Sequence, residues 1–248
     1  MNHSPGMATL DELFAVCRRH AYEGGDVVVP EPYVPHFPKK SRWNGVLVLA
    51  IAQNLSDSSR DYRKWLQALE QRDRWNRLNL DTSPLDGIGI GPWDDGTMKL
   101  SVAALLGVAA IDRVAVSNAI VWSGRKTGSS KHLSSQVEEA SVSFWADLLD
   151  ALQPNRVLAF SRRAATVMEK VMKKAGVEES ELISLPAPFS RNYSFSFKMD
   201  TDRLLTAFPE VASALRDTKK HTTIENEPLA IHCACASVSK MLHRKASP

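Results

Sequence analysis

Six consecutive apolar residues, Val46-Leu47-Val48-Leu49-Ala50-Ile51, end abruptly on the polar stretch Gln53-Asn54-Leu55-Ser56-Asp57. A strand with one face in water alternates apolar and polar residues, so an unbroken run this short describes a strand buried on both faces, inside a parallel sheet. The same pattern recurs over 113–121, where Ser117 and Asn118 interrupt it, over 157–160 after Pro154, and over 182–185. Helical periodicity is expected at about 60–72 and 98–106 before the second strand, at 135–152 before the third and at 163–175 before the fourth, the last closed by Gly176. Strands alternating with helices predict a single α/β domain, a four-stranded parallel sheet flanked by helices with right-handed crossovers. In open sheets of this kind ligands bind in the loops at the carboxyl ends of the strands, which directs attention to the four polar exits.

The flanking segments are of a different character. Residues 1–40 read as one helix at about 10–20 and an extended segment set by Pro30, Pro32, Pro35 and Pro38; residues 41–216 hold the α/β domain; residues 217–248 form a C-terminal tail that either covers the sheet or stays partly mobile. A long loop is expected over 81–96, carrying Trp93, and a last helix over 201–216, interrupted near Pro209. With no apolar run of about 18 residues and no signal-peptide pattern at Met1, a cytoplasmic protein without membrane association is expected, most simply a monomer. Three cysteines, Cys17, Cys233 and Cys235, are too few and unevenly spaced for a disulfide framework and read as free thiols.

The formal net charge of +3 says little, but the basic residues cluster. They gather at Arg60/Arg63/Lys64, Arg72/Arg74/Arg77, Arg125/Lys126/Lys131/His132, Arg162/Arg163 and Arg191, often near Tyr62, Trp65, Trp75 or Trp122. On pattern alone this reads first as an ordinary solvated surface, the competing reading being the footprint of a nucleic-acid partner. Gly87-Ile88-Gly89-Ile90-Gly91 does not join a strand to a helix with the spacing of a phosphate-cradling loop. His232-Cys233-Ala234-Cys235, with His221 and His243, lacks the two well-spaced pairs of a structural zinc site, so neither metal nor cofactor is expected.

Taken in order, the strand exits resemble those of the uracil-DNA glycosylase superfamily over about residues 44–197. The family's first motif, G-Q-D-P-Y or G-x-N-P-G, corresponds to Ala52-Gln53-Asn54-Leu55-Ser56. The Asn that ends its second strand and reads the base corresponds to Asn118. Its proline-led third strand resembles Pro154-Asn155-Arg156-Val157-Leu158-Ala159-Phe160-Ser161-Arg162-Arg163-Ala164, and its final H-P-S loop resembles Ala187-Pro188-Phe189-Ser190.

The resemblance implies a base-flipping DNA glycosylase acting on DNA, expected to be double-stranded. Asn54 is expected to hold the attacking water, by orientation rather than as a strong base, with Gln53 offering its backbone N–H to a base carbonyl. Asn54 also has a bland reading as a helix cap, and Asn118 as a buried turn former. Asn118 would pair with the edge of a flipped pyrimidine through its amide. Lys126, Ser129, Ser130 and Lys131, with His132, would grip phosphates, and Phe189 or Arg191, within Phe189-Ser190-Arg191-Asn192, would plug the gap left by the flipped base. Two departures matter. Ser56 replaces the tyrosine that closes the uracil pocket against C5 substituents, so a bulky C5 group is expected to fit, such as that of glucosylated hydroxymethylcytosine in phage DNA. Ala187 replaces the histidine that donates to the departing base, a loss of about 10²–10³ in rate unless His132, Arg191 or Asn192 substitutes. The sequence thus predicts either a glycosylase for a modified pyrimidine, with anti-phage defence as its setting, or a catalytically inactive DNA-binding or inhibitory module of the same fold.

Overall fold

The computed structural model describes residues 7–27, 30–33, 35–52, 91–124, 126–127, 130–131, 134–188 and 200–246. Its centre is β1 (Val46–Ala52), with Val46 to Ala50 buried. β1 lies between β2 (Ala115–Ile120) and β5 (Arg156–Phe160), and β6 (Glu181–Leu185) pairs with β5, giving a four-stranded, all-parallel sheet of order β2-β1-β5-β6. All six residues of β2 are buried, because helices cover both faces of the sheet. Each strand falls within two residues of its apolar run. Between β2 and β5 the short strands β3 (Lys126–Thr127) and β4 (Ser130–Lys131) form a separate antiparallel hairpin.

Helix boundaries follow local chemistry. Helix α1 (Leu10–Arg18) starts at a capping box in which the Glu12 N–H donates to Thr9 Oγ1 at 3.3 Å and the Thr9 N–H donates to Glu12 Oε2 at 2.7 Å. A helical turn, α2 (Gly91–Asp94), and helix α3 (Thr97–Leu106) follow in the β1–β2 connection. The loop expected over 81–96 therefore gives way to helix by Gly91; Trp93 is buried, with the Lys99 ammonium 5.8 Å from its ring centre. Helix α4 (Ser135–Leu152) is capped by Ser134, and helix α5 (Arg162–Ala175) by Ser161. Gly176, at φ 65°, ends α5 in the left-handed conformation that glycine adopts without strain.

The crossovers β2–α4–β5 and β5–α5–β6 step in one direction across the sheet, and the β1–β2 connection steps in the other. Right-handedness therefore puts α4 and α5 on one face and α3 on the opposite one. Helix α1 packs on α4, where the His20 ring lies 5.4 Å from Phe144 and its Nε2 is 3.1 Å from Asp147 Oδ2. On the α3 side, α6 (Thr201–Ala207) and α7 (Pro209–Thr218) are the two halves of the helix expected over 201–216, divided at Phe208–Pro209.

After Lys219 the chain forms a helix of 20 residues, α8 (Glu227–Ala246), which packs along α3 and reaches β6. Of the two options open for this tail, the described part takes the covering one. Leu100, Leu204, Val211, Leu215 and Ile231 form a second apolar cluster between these helices, while Cys233 and Ala236 join the main core.

The β2 edge is partly covered, and one carbonyl of β6 is capped by a side chain. Along β2, the His36 N–H donates to Val116 O at 2.8 Å and the Val116 N–H returns to His36 O at 2.9 Å, while the Tyr33 N–H reaches Val121 O at 2.7 Å. The proline-studded segment is thus an extended strap along β2. At β6, the Arg244 guanidinium donates to Leu182 O at 3.0 Å. Covering edge groups in this way prevents pairing with other chains.

Candidate functional site

Parallel pairing brings all four carboxyl ends to one edge: Ala52 is in register with Ile120, Leu49 with Ala159, and Phe160 with Leu185. The connections leaving β1 and β5 diverge in opposite directions, and such a reversal opens a crevice between neighbouring strands. Gln53, Asn54 and Ser56, which follow β1 in sequence, lie outside the described residues. The β2 exit is one strand spacing from β1, about 5 Å, and the β6 exit is two spacings away on the other side, about 10 Å.

Asn118 is the exceptional residue of this edge. It sits on β2 in register with Ala50, two residues inside the end of the strand and 1% exposed. Its backbone carbonyl accepts a hydrogen bond from the Trp145 indole N–H at 3.2 Å. Its side-chain Nδ2, which carries two donors, has no hydrogen-bond partner among the described residues. Burying an amide without a partner costs about 1–3 kcal/mol, where an aliphatic residue of similar size would cost nothing. Ser117, facing the other side of the sheet, likewise has a buried Oγ without a partner among the described residues. The expected turn-forming alternative for Asn118 does not hold, because the residue is within a regular strand.

Beyond β2, Trp122 is buried and donates its indole N–H to Pro30 O at 2.8 Å; Phe144 lies 6.2 Å and Tyr22 5.9 Å from its ring. Trp122 therefore belongs to the framework, not to a stacking surface. The chain then enters the hairpin, in which Lys126 pairs with Lys131 and Thr127 with Ser130. Three of the expected phosphate contacts, Lys126, Ser130 and Lys131, are thus brought together by backbone pairing. Ser129 and His132 lie outside the described residues.

At the β5 exit, Ser161 Oγ accepts from the Ala164 N–H at 3.0 Å, and Arg162 and Arg163 are exposed at the start of α5. Arg163 reaches Glu138 at 3.4 Å, and Glu138 also holds Lys170 at 2.7 Å, so part of this basic cluster is neutralised. The hydrogen bond from Lys170 outweighs partial burial and keeps the Glu138 carboxyl below its usual range. Ala187 follows β6 half-buried and presents only a methyl group; Pro188 beside it is buried. Phe189, Ser190, Arg191 and Asn192 lie outside the described residues. Ser161 and Trp145 were not singled out by sequence; a serine immediately before a helix is a legible cap signal, whereas the Trp145 contact with β2 joins residues 27 apart.

All three cysteines are free and buried. Cys233 and Cys235 are two residues apart on α8, hence about 200° apart around its axis, and face different clusters. Cys233 accepts from Ser101 Oγ at 3.5 Å. Burial pushes the Cys235 thiol up to about 12. Among the described residues no group of three or more His, Cys, Asp or Glu side chains is placed to hold a metal ion, and no helix is long and apolar enough to cross a membrane. No protein-family model matches the chain, and no curated protein matches it in sequence.

Proposed function

We propose that the chain is a DNA glycosylase that hydrolyses the N-glycosidic bond of a flipped, C5-substituted pyrimidine and leaves an abasic site. The observation that supports this reading is the buried Asn118 side chain on the strand beside the β1 exit, whose Nδ2 has no hydrogen-bond partner among the described residues. A buried amide nitrogen in this state gains hydrogen-bonding value from a ligand edge that presents an acceptor to it, and its oxygen can meet a donor beside that acceptor. A flipped pyrimidine does so, and the basic hairpin beyond β2 supplies the charge that a phosphate backbone seeks.

In this mechanism Asn118 holds the base edge, the Gln53 N–H polarises a base carbonyl, and Asn54 orients water toward the anomeric carbon as the base departs with the bonding electron pair. Ser56 leaves room for the C5 substituent. The test is an abasic-site assay on duplexes carrying uracil, hydroxymethylcytosine or glucosylated hydroxymethylcytosine, with mass spectrometry of the released base. Alkali-labile sites on the bulky base are the expected result. Binding of all three without release of any overturns the enzyme reading.

That second outcome corresponds to a DNA-binding or inhibitory module, and Ala187 is the observation that favours it. A methyl group follows β6 where the departing base anion needs a donor.

A further inference from the structure

Parallel pairing gathers the amino ends of the four strands at the edge opposite the candidate site, and an arginine stands at each of them. Arg113 comes two residues before β2, Arg42 four residues before β1, and Arg156 is the first residue of β5, in register with Glu181 at the start of β6. Arg244, near the end of α8, donates to Leu182 O at 3.0 Å and so stands at the fourth. Two contacts fix the β1–β2 half: the Asn44 N–H donates to Arg113 O at 3.1 Å, and Arg113 Nε donates to Arg42 O at 3.1 Å. In the β5–β6 half, Glu181 is shared by Arg156 at 2.8 Å and Arg244 at 3.6 Å, two cations on one carboxylate. Strand order therefore sets the arginines in the sequence Arg113, Arg42, Arg156, Arg244 across the edge. Arg42 and Arg113 are exposed, and the side chains of Arg156 and Arg244 keep 37% and 48% of their surface in water.

We propose that this arginine row is a second nucleic-acid contact surface, one that takes the phosphate backbone of a duplex. It goes beyond the glycosylase reading and does not require it. Three strand spacings make the row about 14 Å long, a length over which one strand of B-DNA carries about four phosphates. Guanidinium forks suit phosphate better than ammonium groups do, because two N–H donors engage its oxygens at once. Lys39 and Lys40 flank Arg42, while the carboxylates at the strand starts are Asp112 and Glu181, with Glu12 of α1 near enough to Lys40 to feel its charge. Six cations against three carboxylates give an excess equal to the +3 of the whole chain, gathered along one edge. Such crowding of like charge destabilises the free fold, and a bound polyanion offsets it. Helix dipoles do not account for the row. Lys173 and Lys174 already occupy the last turn of α5, and of the four arginines Arg244 alone lies in the last turn of an α-helix. Trp43, next to Arg42, is 7% exposed and its indole N–H has no partner among the described residues, which leaves one more donor at this edge.

The test measures the affinity of the full chain for an unmodified duplex across a salt series. Each phosphate contact contributes about 0.9 to the slope of log affinity against log salt, so Arg42→Gln combined with Arg113→Gln is expected to lower that slope by about 1.8. Glutamine at 113 keeps a side-chain N–H for Arg42 O. Glu181→Gln acts in the opposite direction: it releases Arg156 and Arg244 from their shared carboxylate, and it is expected to raise the slope by about 0.9 and to tighten binding. A gain in affinity is not the signature of a damaged fold. Single-turnover base release from a duplex carrying glucosylated hydroxymethylcytosine, at saturating protein, is expected to be the same in wild type and variants, since this edge is remote from the carboxyl ends of the strands.

A slope that stays at the wild-type value in either variant, or a wild type that does not bind the unmodified duplex, overturns the surface. Loss of base release at saturation in the arginine variant places these residues at the reaction site and overturns a separate surface as well. If the slopes shift as expected and no protein releases a base, the glycosylase reading falls while the amino-edge surface stands.

Discussion

Asn118 separates stability from function at a single position. Replacing it with leucine removes a buried amide that has no partner among the described residues. The variant is therefore expected to be more stable by about 1–3 kcal/mol in urea titration, with the local strand geometry unchanged. The same change is expected to reduce base release by about 10²-fold or more, since a preorganised donor is lost. A leucine variant that is both destabilised and fully active would place the amide in the framework instead. At Ser56 the expected change is one of selectivity: Ser56→Tyr should abolish release of the glucosylated base, read by mass spectrometry, and full retention would remove the open-pocket argument. Ala187→His is expected to raise uracil release by about 10²–10³-fold, because it adds the missing donor to the departing base. The cysteines give a simpler expectation. With all three thiols buried and that of Cys235 pushed up to about 12, thiol reagents at pH 8 should label the native chain slowly and the unfolded chain at three positions.

At the level of elements, α4 and α5 are joined across their exposed faces by Glu138, which holds both Lys170 and Arg163. A carboxyl whose pKa is lower in the folded chain than in the unfolded one stabilises the fold above the unfolded value of 4.5, and that contribution fades as pH falls through the folded value. Glu138→Gln is therefore expected to cost about 0.5–1 kcal/mol at pH 7, after allowance for the exposure of Lys170, and progressively less as pH falls below 4.5. Urea midpoints for the two proteins across this range provide the measurement; a gap that stays constant with pH would assign the effect to packing. The Arg163 contact lies at the β5 exit, where α5 starts, so it also holds Arg163 near the carboxyl edge of the sheet.

For the whole molecule, the N-terminal strap is part of the domain rather than an appendage. Leu13, Phe14, Tyr33 and Phe37 are buried in the main core, and Tyr33 and His36 bond along the open edge of β2. A chain lacking residues 1–37 is expected to expose that edge and to self-associate, detectable as a concentration-dependent rise in mass by sedimentation. A monomeric, stable truncation would show that another segment covers β2. Removing the strap also removes the Val27 bridge to Gly124 and the Asp26 bond to Ser134.

The α/β class, the four strands and most helix boundaries were legible because each is written locally. A strand buried on both faces must be apolar throughout, and a helix end must satisfy its own backbone groups, as Thr9, Ser134, Ser161 and Gly176 do. Asn118 was legible for the same reason, as an amide where an unbroken apolar run requires none. Helix α8 was not, because it is enclosed between the sheet and other helices: residues such as Ala230, Cys233, Ala236 and Val238 are buried around much of its circumference, so no amphipathic stripe marks it. Strand order, the strap along β2 and the Asp26–Ser134 hydrogen bond belong to tertiary structure alone. That bond joins residues 108 apart, and nothing in local sequence specifies which distant donor a carboxylate will meet. Sequence by itself determined which segments must be buried and where polar groups interrupt them; only the folded sheet decided that the β1 exit and Asn118 lie at one edge, because strand pairing joins residues far apart in the chain.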